Sequence, residues 1–221
     1  MFCCGLMPFL DFFGLQIGYS EGVYEPSEDT FLLASALDEV LHNMQQTAGL
    51  RVLDMGTGTG AVGLFAAMNK KVSKVVLADI STVAVNTALD NYRKNKKKIC
   101  ADVSIVKSDL FKNVAGMFDI ITFNAPYLRK EERESKEYAR LFSGGKEGVE
   151  LSLRFLKECK AHINESSVVL LTASSLSNLD MLRRGLAEYG FYVCKEKSVH
   201  YFFEDVIVLE LHLAPCKAKE T

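Results

Sequence analysis

The stretch Gly56-Thr57-Gly58-Thr59-Gly60 constrains this chain more than any other, because it joins an apolar run, Val52-Leu53-Asp54-Met55, to a helical segment, Ala61–Met68. A short apolar run that turns through alternate glycines into a helix is the opening of a parallel βαβ unit. The rest of the chain keeps the same rhythm. Apolar runs at Val75–Ala78, Val103–Val106, Phe118–Phe123 and Val168–Leu171 alternate with helical spacings such as Val85, Ala88, Leu89 and Tyr92. Two last runs, Phe191–Val199 and Val206–Leu213, follow one another and predict an antiparallel pair turning near Glu204-Asp205. The expected architecture is α/β: a Rossmann-like, mainly parallel seven-stranded sheet with a C-terminal antiparallel hairpin. No linker or repeat divides the sequence, so a single domain over 1–221 is expected, with 1–23 as an apolar N-terminal extension.

That extension, MFCCGLMPFLDFFGLQIG, is broken by Pro8 and Asp11, which argues against a signal peptide or a membrane span. It is expected to pack on the domain or to cover an apolar surface near the site. Lys and Arg number 26 against 28 Asp and Glu, a balance that argues against a dedicated nucleic-acid binder. The cluster Arg93, Lys94, Lys96, Lys97 and Lys98 reads as a solvated helix end. The six cysteines form no C-x-x-C pair and no zinc-ligand spacing. They are read as free thiols in a reducing, cytoplasmic setting, with no metal site in this chain. The polar stretch Arg129–Arg140 has no sustained apolar period and is expected to be an exposed loop or a mobile helix.

The glycine spacing carries chemistry as well as topology. A dinucleotide fingerprint is G-x-G-x-x-G, whereas here Asp54 precedes G-x-G-x-G at Gly56, Gly58 and Gly60. A carboxylate in the loop repels a diphosphate but suits the cationic methionine end of S-adenosylmethionine. Asp79 ends the second apolar run and is placed to accept from ribose hydroxyls. Asp109, followed by Leu110, ends the third and is placed to reach an adenine amine.

The fourth run ends on Asn124-Ala125-Pro126-Tyr127. A planar amide or exocyclic amine nitrogen shares its lone pair with its neighbour and is a poor nucleophile. Two acceptors aimed at its N–H bonds, the Asn124 side-chain oxygen and the Ala125 carbonyl, fix and polarise it, and the Tyr127 ring stacks on it. Here the sequence resembles the methyltransferases that carry N-P-P-[YF] at this point, with Ala125 in place of the first proline.

A second match is Tyr24-Glu25-Pro26-Ser27-Glu28-Asp29-Thr30-Phe31-Leu32-Leu33, and a third is Gly144-Gly145-Lys146-Glu147-Gly148. In this order the motifs resemble those of the HemK-type protein glutamine N5-methyltransferases, in the archaeal and eukaryotic branch. The resemblance implies methylation of the glutamine in the Gly-Gly-Gln loop of class I translation release factors. It implies cofactor contacts from Tyr24, Glu28 and Thr30, and a small zinc-binding activator subunit docked beside the strand at Val103, Ile105 and Val106. Two alternatives stay open at this stage. One is adenine-N6 methylation of nucleic acid, against which stands the lack of a recognition insertion. The other is a non-catalytic S-adenosylmethionine-binding scaffold, which only Ala125 favours.

Overall fold

The chain opens on a hairpin, β1 (Phe9–Phe12) and β2 (Leu15–Gly18), ahead of helix α1 (Glu28–Asn43). Strands and helices then alternate: β3 (Leu50–Met55), α2 (Ala61–Ala67), β4 (Val72–Asp79), α3 (Thr82–Asn95), β5 (Asp102–Lys107) and β6 (Ile120–Phe123). A short parallel pair, β7 (Leu128–Arg129) and β8 (Ser143–Gly145), brackets α4 (Lys136–Phe142). After α5 (Glu150–Cys159), β9 (Val168–Ser174) and α6 (Leu179–Glu188), the chain ends on β10 (Tyr192–Tyr201) and β11 (Glu204–His212). The structure is a computed structural model that describes residues 8–46, 48–130 and 135–216.

Seven of these strands form one sheet in the order β10-β11-β9-β6-β3-β4-β5. Only β11 runs against its neighbours within it. The parallel sheet and its terminal antiparallel pair are therefore as the sequence predicts. The turn is not. Strands β10 and β11 pair as far as Tyr201 and Glu204, so the chain reverses at Phe202-Phe203 rather than near Glu204-Asp205. Asp and Glu favour turns over strand interiors, and two phenylalanines give no turn signal.

Alternation along the strands builds a core on each face of the sheet. Leu50 and Val52 of β3 face the side covered by α1 and α2, where Leu33, Leu37 and Leu64 are buried. Leu53 and Met55 face the other side, against Phe155 and Leu156 of α5 and Leu182 of α6. The parallel strands β3, β4, β5 and β6 all point their C-termini to the same edge of the sheet.

The N-terminal hairpin packs on the domain, as expected, with Phe12, Leu15 and Ile17 fully buried. Residues 1–7, with Cys3 and Cys4, lie outside the described residues. Two asparagines of α3 act as partners for the backbone of β2. Asn95 accepts from Gln16 N at 3.0 Å and donates to Gln16 O at 2.9 Å. Asn91 accepts from Gly18 N at 2.8 Å and donates both to Gly18 O at 2.8 Å and to Thr59 O at 2.9 Å. One buried amide thus ties the hairpin to the glycine loop. Asn91→Ala strands three backbone groups, so a loss of about 2–4 kcal/mol is expected by urea denaturation. An unchanged midpoint would show that the hairpin is not stapled this way. The basic cluster also serves the hairpin: Lys98 Nζ donates to Gly14 O, and Lys94 Nζ sits 4.7 Å from the Phe9 ring centroid.

One further expectation changes. Cys194 of β10 is bonded to Cys216, so the reading of all six cysteines as free thiols is corrected; among the described residues Cys100 and Cys159 are free. The polar stretch Arg129–Arg140, expected as an exposed loop or a mobile helix, holds the last residue of β7 and the first part of α4, while 131–134 lie outside the described residues. No described helix is long and apolar enough to cross a membrane.

Candidate active site

The glycine loop is shaped by what surrounds it. Gly56 has φ +61°, and a Cβ there would stand 2.9 Å from the Phe123 ring of β6, so only glycine fits without displacing that ring. Asp54, 3% exposed, is the loop's internal anchor. One carboxylate oxygen accepts from Thr57 Oγ1 at 2.5 Å and Gly63 N at 3.0 Å, and the other from Thr122 Oγ1 at 2.7 Å. With both oxygens engaged, Asp54 holds the loop to the start of α2 and to β6, and it also lines the cavity below the loop. Gly60 caps α2 against Ala88 and does not line that cavity.

Burial pushes the Asp54 carboxyl up to about 6, against the opposing pull of its Thr57, Thr122 and Gly63 donors. Its ionised form is the one that accepts all three bonds. Affinity for the expected cofactor should therefore be full above about pH 6 and fall as pH drops through that value, as Asp54 takes a proton. Calorimetric titration across the window checks this, and a flat affinity would contradict the anchoring role.

Below the loop lies a cavity of about 310 Å³, walled by Val23, Tyr24, Pro26 and Thr30 on one side and by the tips of β3, β4, β5 and β6 on the other. Asp79, ending β4, lines it; its oxygens accept from Gly58 N at 2.9 Å and Ser81 N at 2.8 Å. The carboxylate is thus held across the mouth of the glycine loop. Past β5, Asp109 and Leu110 also line the cavity. Leu110 is in the left-handed region at φ +46°, a strained position for a branched residue and one held by Ser108, whose hydroxyl donates to Leu110 O at 2.6 Å. Arg154 of α5, which no sequence motif singles out, lines the same cavity and pairs with Asp109 at 3.0 Å.

At the β6 tip a second cavity of about 200 Å³ shares Tyr24, Asn124, Pro126 and Leu141 with the first. Ala125, 1% exposed, and Tyr127 line only this second one. The organiser is Asp29, buried at 4% exposure on the first turn of α1. Its Oδ1 accepts from Thr30 N at 2.6 Å and Thr30 Oγ1 at 3.0 Å. Its Oδ2 accepts from Asn124 Nδ2 at 3.1 Å and Tyr127 Oη at 3.3 Å. Asn124 Oδ1 accepts from Thr172 Oγ1 of β9 at 2.8 Å, so the amide is clamped at both ends. Burial, followed by the Asp29 charge, pushes the Tyr24 and Tyr127 phenols well above their usual range, so both stay protonated.

Glu28 is the expected cofactor contact that the fold does not deliver. It is exposed and lines neither cavity, and its carboxylate accepts from Ser27 Oγ and pairs with Tyr201. Adjacent residues on a helix point about 100° apart, and the inward place belongs to Asp29. The Gly144–Gly148 segment lies against the Asn124–Tyr127 loop itself. A Cβ on Gly144 would be 2.5 Å from Pro126 O, and one on Gly148 2.5 Å from Tyr127 O.

The comparisons agree with this geometry. The methyltransferase small domain family matches residues 17–167. A protein of Methanocaldococcus jannaschii, provisionally named a protein N5-glutamine methyltransferase, is 34% identical over 89% of this chain and 94% of its own length. The release factor glutamine methyltransferase of Borreliella burgdorferi is 33% identical over 74% of this chain, which spans little more than half (57%) of that longer protein. Among solved structures, the E. cuniculi Mtq2–Trm112 complex, described as responsible for methylating the termination factor eRF1, matches with a TM-score of 0.59 at 22% identity, covering 87% of this chain and 99% of that one. With a cavity under a glycine loop, an Asn-x-Pro-Tyr tip beside it and these relatives, the chain belongs to the methyltransferase small domain family, and the HemK-type glutamine methyltransferases are among its kin.

Proposed function

We propose that this enzyme methylates the side-chain nitrogen of the glutamine in the Gly-Gly-Gln loop of class I release factors, using S-adenosylmethionine. The observation that carries the reading is the pair of cavities meeting at Asn124, one suited to a cofactor and the other ending on an amide-reading tip. The names of the archaeal and bacterial relatives support the glutamine acceptor.

The residues present fit the cofactor. Asp79 suits a pair of ribose hydroxyls, and Asp109 with the Leu110 backbone suits an adenine edge. The glycine loop, with no side chain at Gly56 or Gly58, lets the backbone approach closely. When bound, S-adenosylmethionine supplies a methyl group on a positively charged sulfur.

The chain's own work is positioning. Asn124 Oδ1, with one lone pair taken by Thr172, and the Ala125 carbonyl accept from the two N–H bonds of the glutamine amide. Asp29, accepting from Asn124 Nδ2, strengthens the negative end of that side chain. Tyr127, its hydroxyl tied to Asp29, offers its ring to the amide plane. The nitrogen gains a methyl and yields a proton to water, so no strong base is needed. Orientation of this kind supplies up to ~7–11 kcal/mol in favourable systems.

A small zinc-binding activator completes the assignment, docked along β5. That strand is at the sheet edge, and Val103, Ile105 and Val106 are only partly buried. An open edge with apolar side chains suits strand or loop addition by a partner. Transfer of labelled methyl to a class I release factor, with and without the activator, tests both parts. Label that requires the Gly-Gly-Gln glutamine supports the reading, whereas label on adenine-containing DNA alone would overturn it.

A further inference from the structure

The β10–β11 hairpin turns on two residues, Phe202 and Phe203, that are 74% and 92% exposed. Two-residue loops of this kind favour glycine or asparagine, because at least one residue must take a positive φ. Phe202 takes it, at φ +54°. A bulky residue there is strained, and two largely exposed rings in water add an unfavourable hydration term. Such a concentration of strain and apolar exposure points to a contact made with another molecule.

Its place in the fold says which molecule. The next residue, Glu204, lines the acceptor cavity and accepts from Ser174 Oγ at 2.5 Å. The preceding residue, Tyr201, lies near Glu28 at the start of α1, next in sequence to Asp29, and its ring meets that of Phe202 at 4.6 Å. Tyr138 of α4, which lines the same cavity, is 45% exposed, with its ring 4.5 Å from that of Phe142, another lining residue. Exposed aromatic side chains therefore occur both on α4 at this cavity and on the hairpin turn next to its lining residue Glu204. Rings that lose little conformational freedom on contact are the usual anchors of protein–protein interfaces.

We infer that Phe202 and Phe203 are a docking anchor for the folded protein that carries the acceptor glutamine, engaging apolar side chains on its surface outside the methylated loop. This rests on the glutamine reading of the site. The anchor confers affinity for the whole protein acceptor and leaves the chemical step alone. A short peptide containing Gly-Gly-Gln lacks the surface that the rings would hold.

The test is F202G/F203S, which gives the turn the residues it favours and so retains the fold. Thermal midpoint and S-adenosylmethionine affinity should be unchanged or slightly improved. With a class I release factor and the activator present, KM should rise at least about tenfold with kcat nearly constant, while the rate on the Gly-Gly-Gln peptide stays within about twofold of wild type, since one decade is about 1.4 kcal/mol of lost contact. Equal KM for the release factor in variant and wild type would overturn the anchor. So would an equal loss on peptide and protein, which would place the effect in the cavity. Wild-type enzyme inactive on both acceptors would instead remove the glutamine reading, and the anchor with it.

Discussion

Asn124→Ala should lower turnover on a glutamine acceptor about 10²–10³-fold, the loss seen when one preorganised polar contact to a reacting group is removed. Asn124 is where the two cavities meet, and its amide is held by Asp29 on one end and Thr172 on the other. Alanine removes the proposed acceptor for the nucleophilic nitrogen and nothing from the glycine loop or Asp79. Cofactor affinity should therefore stay nearly unchanged, and the defect should fall on kcat rather than KM. Thermal melting of the variant separates this from misfolding, since Asp29 and Thr172 each lose a partner. Turnover within about threefold of wild type would remove Asn124 from the chemistry, because a positioning contact is worth far more.

Asp79→Ala should do the opposite, weakening S-adenosylmethionine binding about 10–100-fold. Hydrogen bonds to a charged group contribute about 1.5–3 kcal/mol, and each 1.4 kcal/mol is one decade in the dissociation constant. The carboxylate also holds Gly58 N and Ser81 N, so part of the loss reflects a loosened loop. Asp79→Asn separates the contributions: it keeps one acceptor oxygen and should recover part of the affinity. With saturating cofactor, turnover of both variants should approach that of wild type. An unchanged dissociation constant in Asp79→Ala would remove the ribose contact.

The fold was legible because each level of the sequence agreed with the next. The strand-to-helix alternation, the glycine turn and the aspartate at each strand tip all describe one parallel sheet, and the sheet has that order. Asp29 was missed in favour of Glu28, although a helical argument on the sequence finds it. It lies on the same stripe as Leu33, Leu37 and Val40, all buried, whereas Glu28 begins the solvent face. Extending the apolar stripe one turn towards the N-terminus selects Asp29 as the inward carboxylate. Asn91 and Asn95 follow the same rule, since both are buried on α3 and neither is apolar.

Other features had no local signal. Arg154 is on the half-exposed face of α5 and becomes part of the site only because α5 packs beside the β5 tip. The Cys194–Cys216 bond joins residues 22 apart whose spacing resembles no motif, and only the return of β11 brings them together. The aromatic turn was hidden for a physical reason: its residues are poor turn formers, so pattern reading moved the turn to the carboxylates beside it.

The measurement that bears most directly on the glutamine reading is tandem mass spectrometry of a class I release factor after reaction with this enzyme, the proposed activator and S-adenosylmethionine. The expected result is one methyl group on the side-chain nitrogen of the Gly-Gly-Gln glutamine, absent when Asn124→Ala replaces the wild-type enzyme. A methyl group on another residue, or equal methylation of a release factor lacking that glutamine, would contradict it.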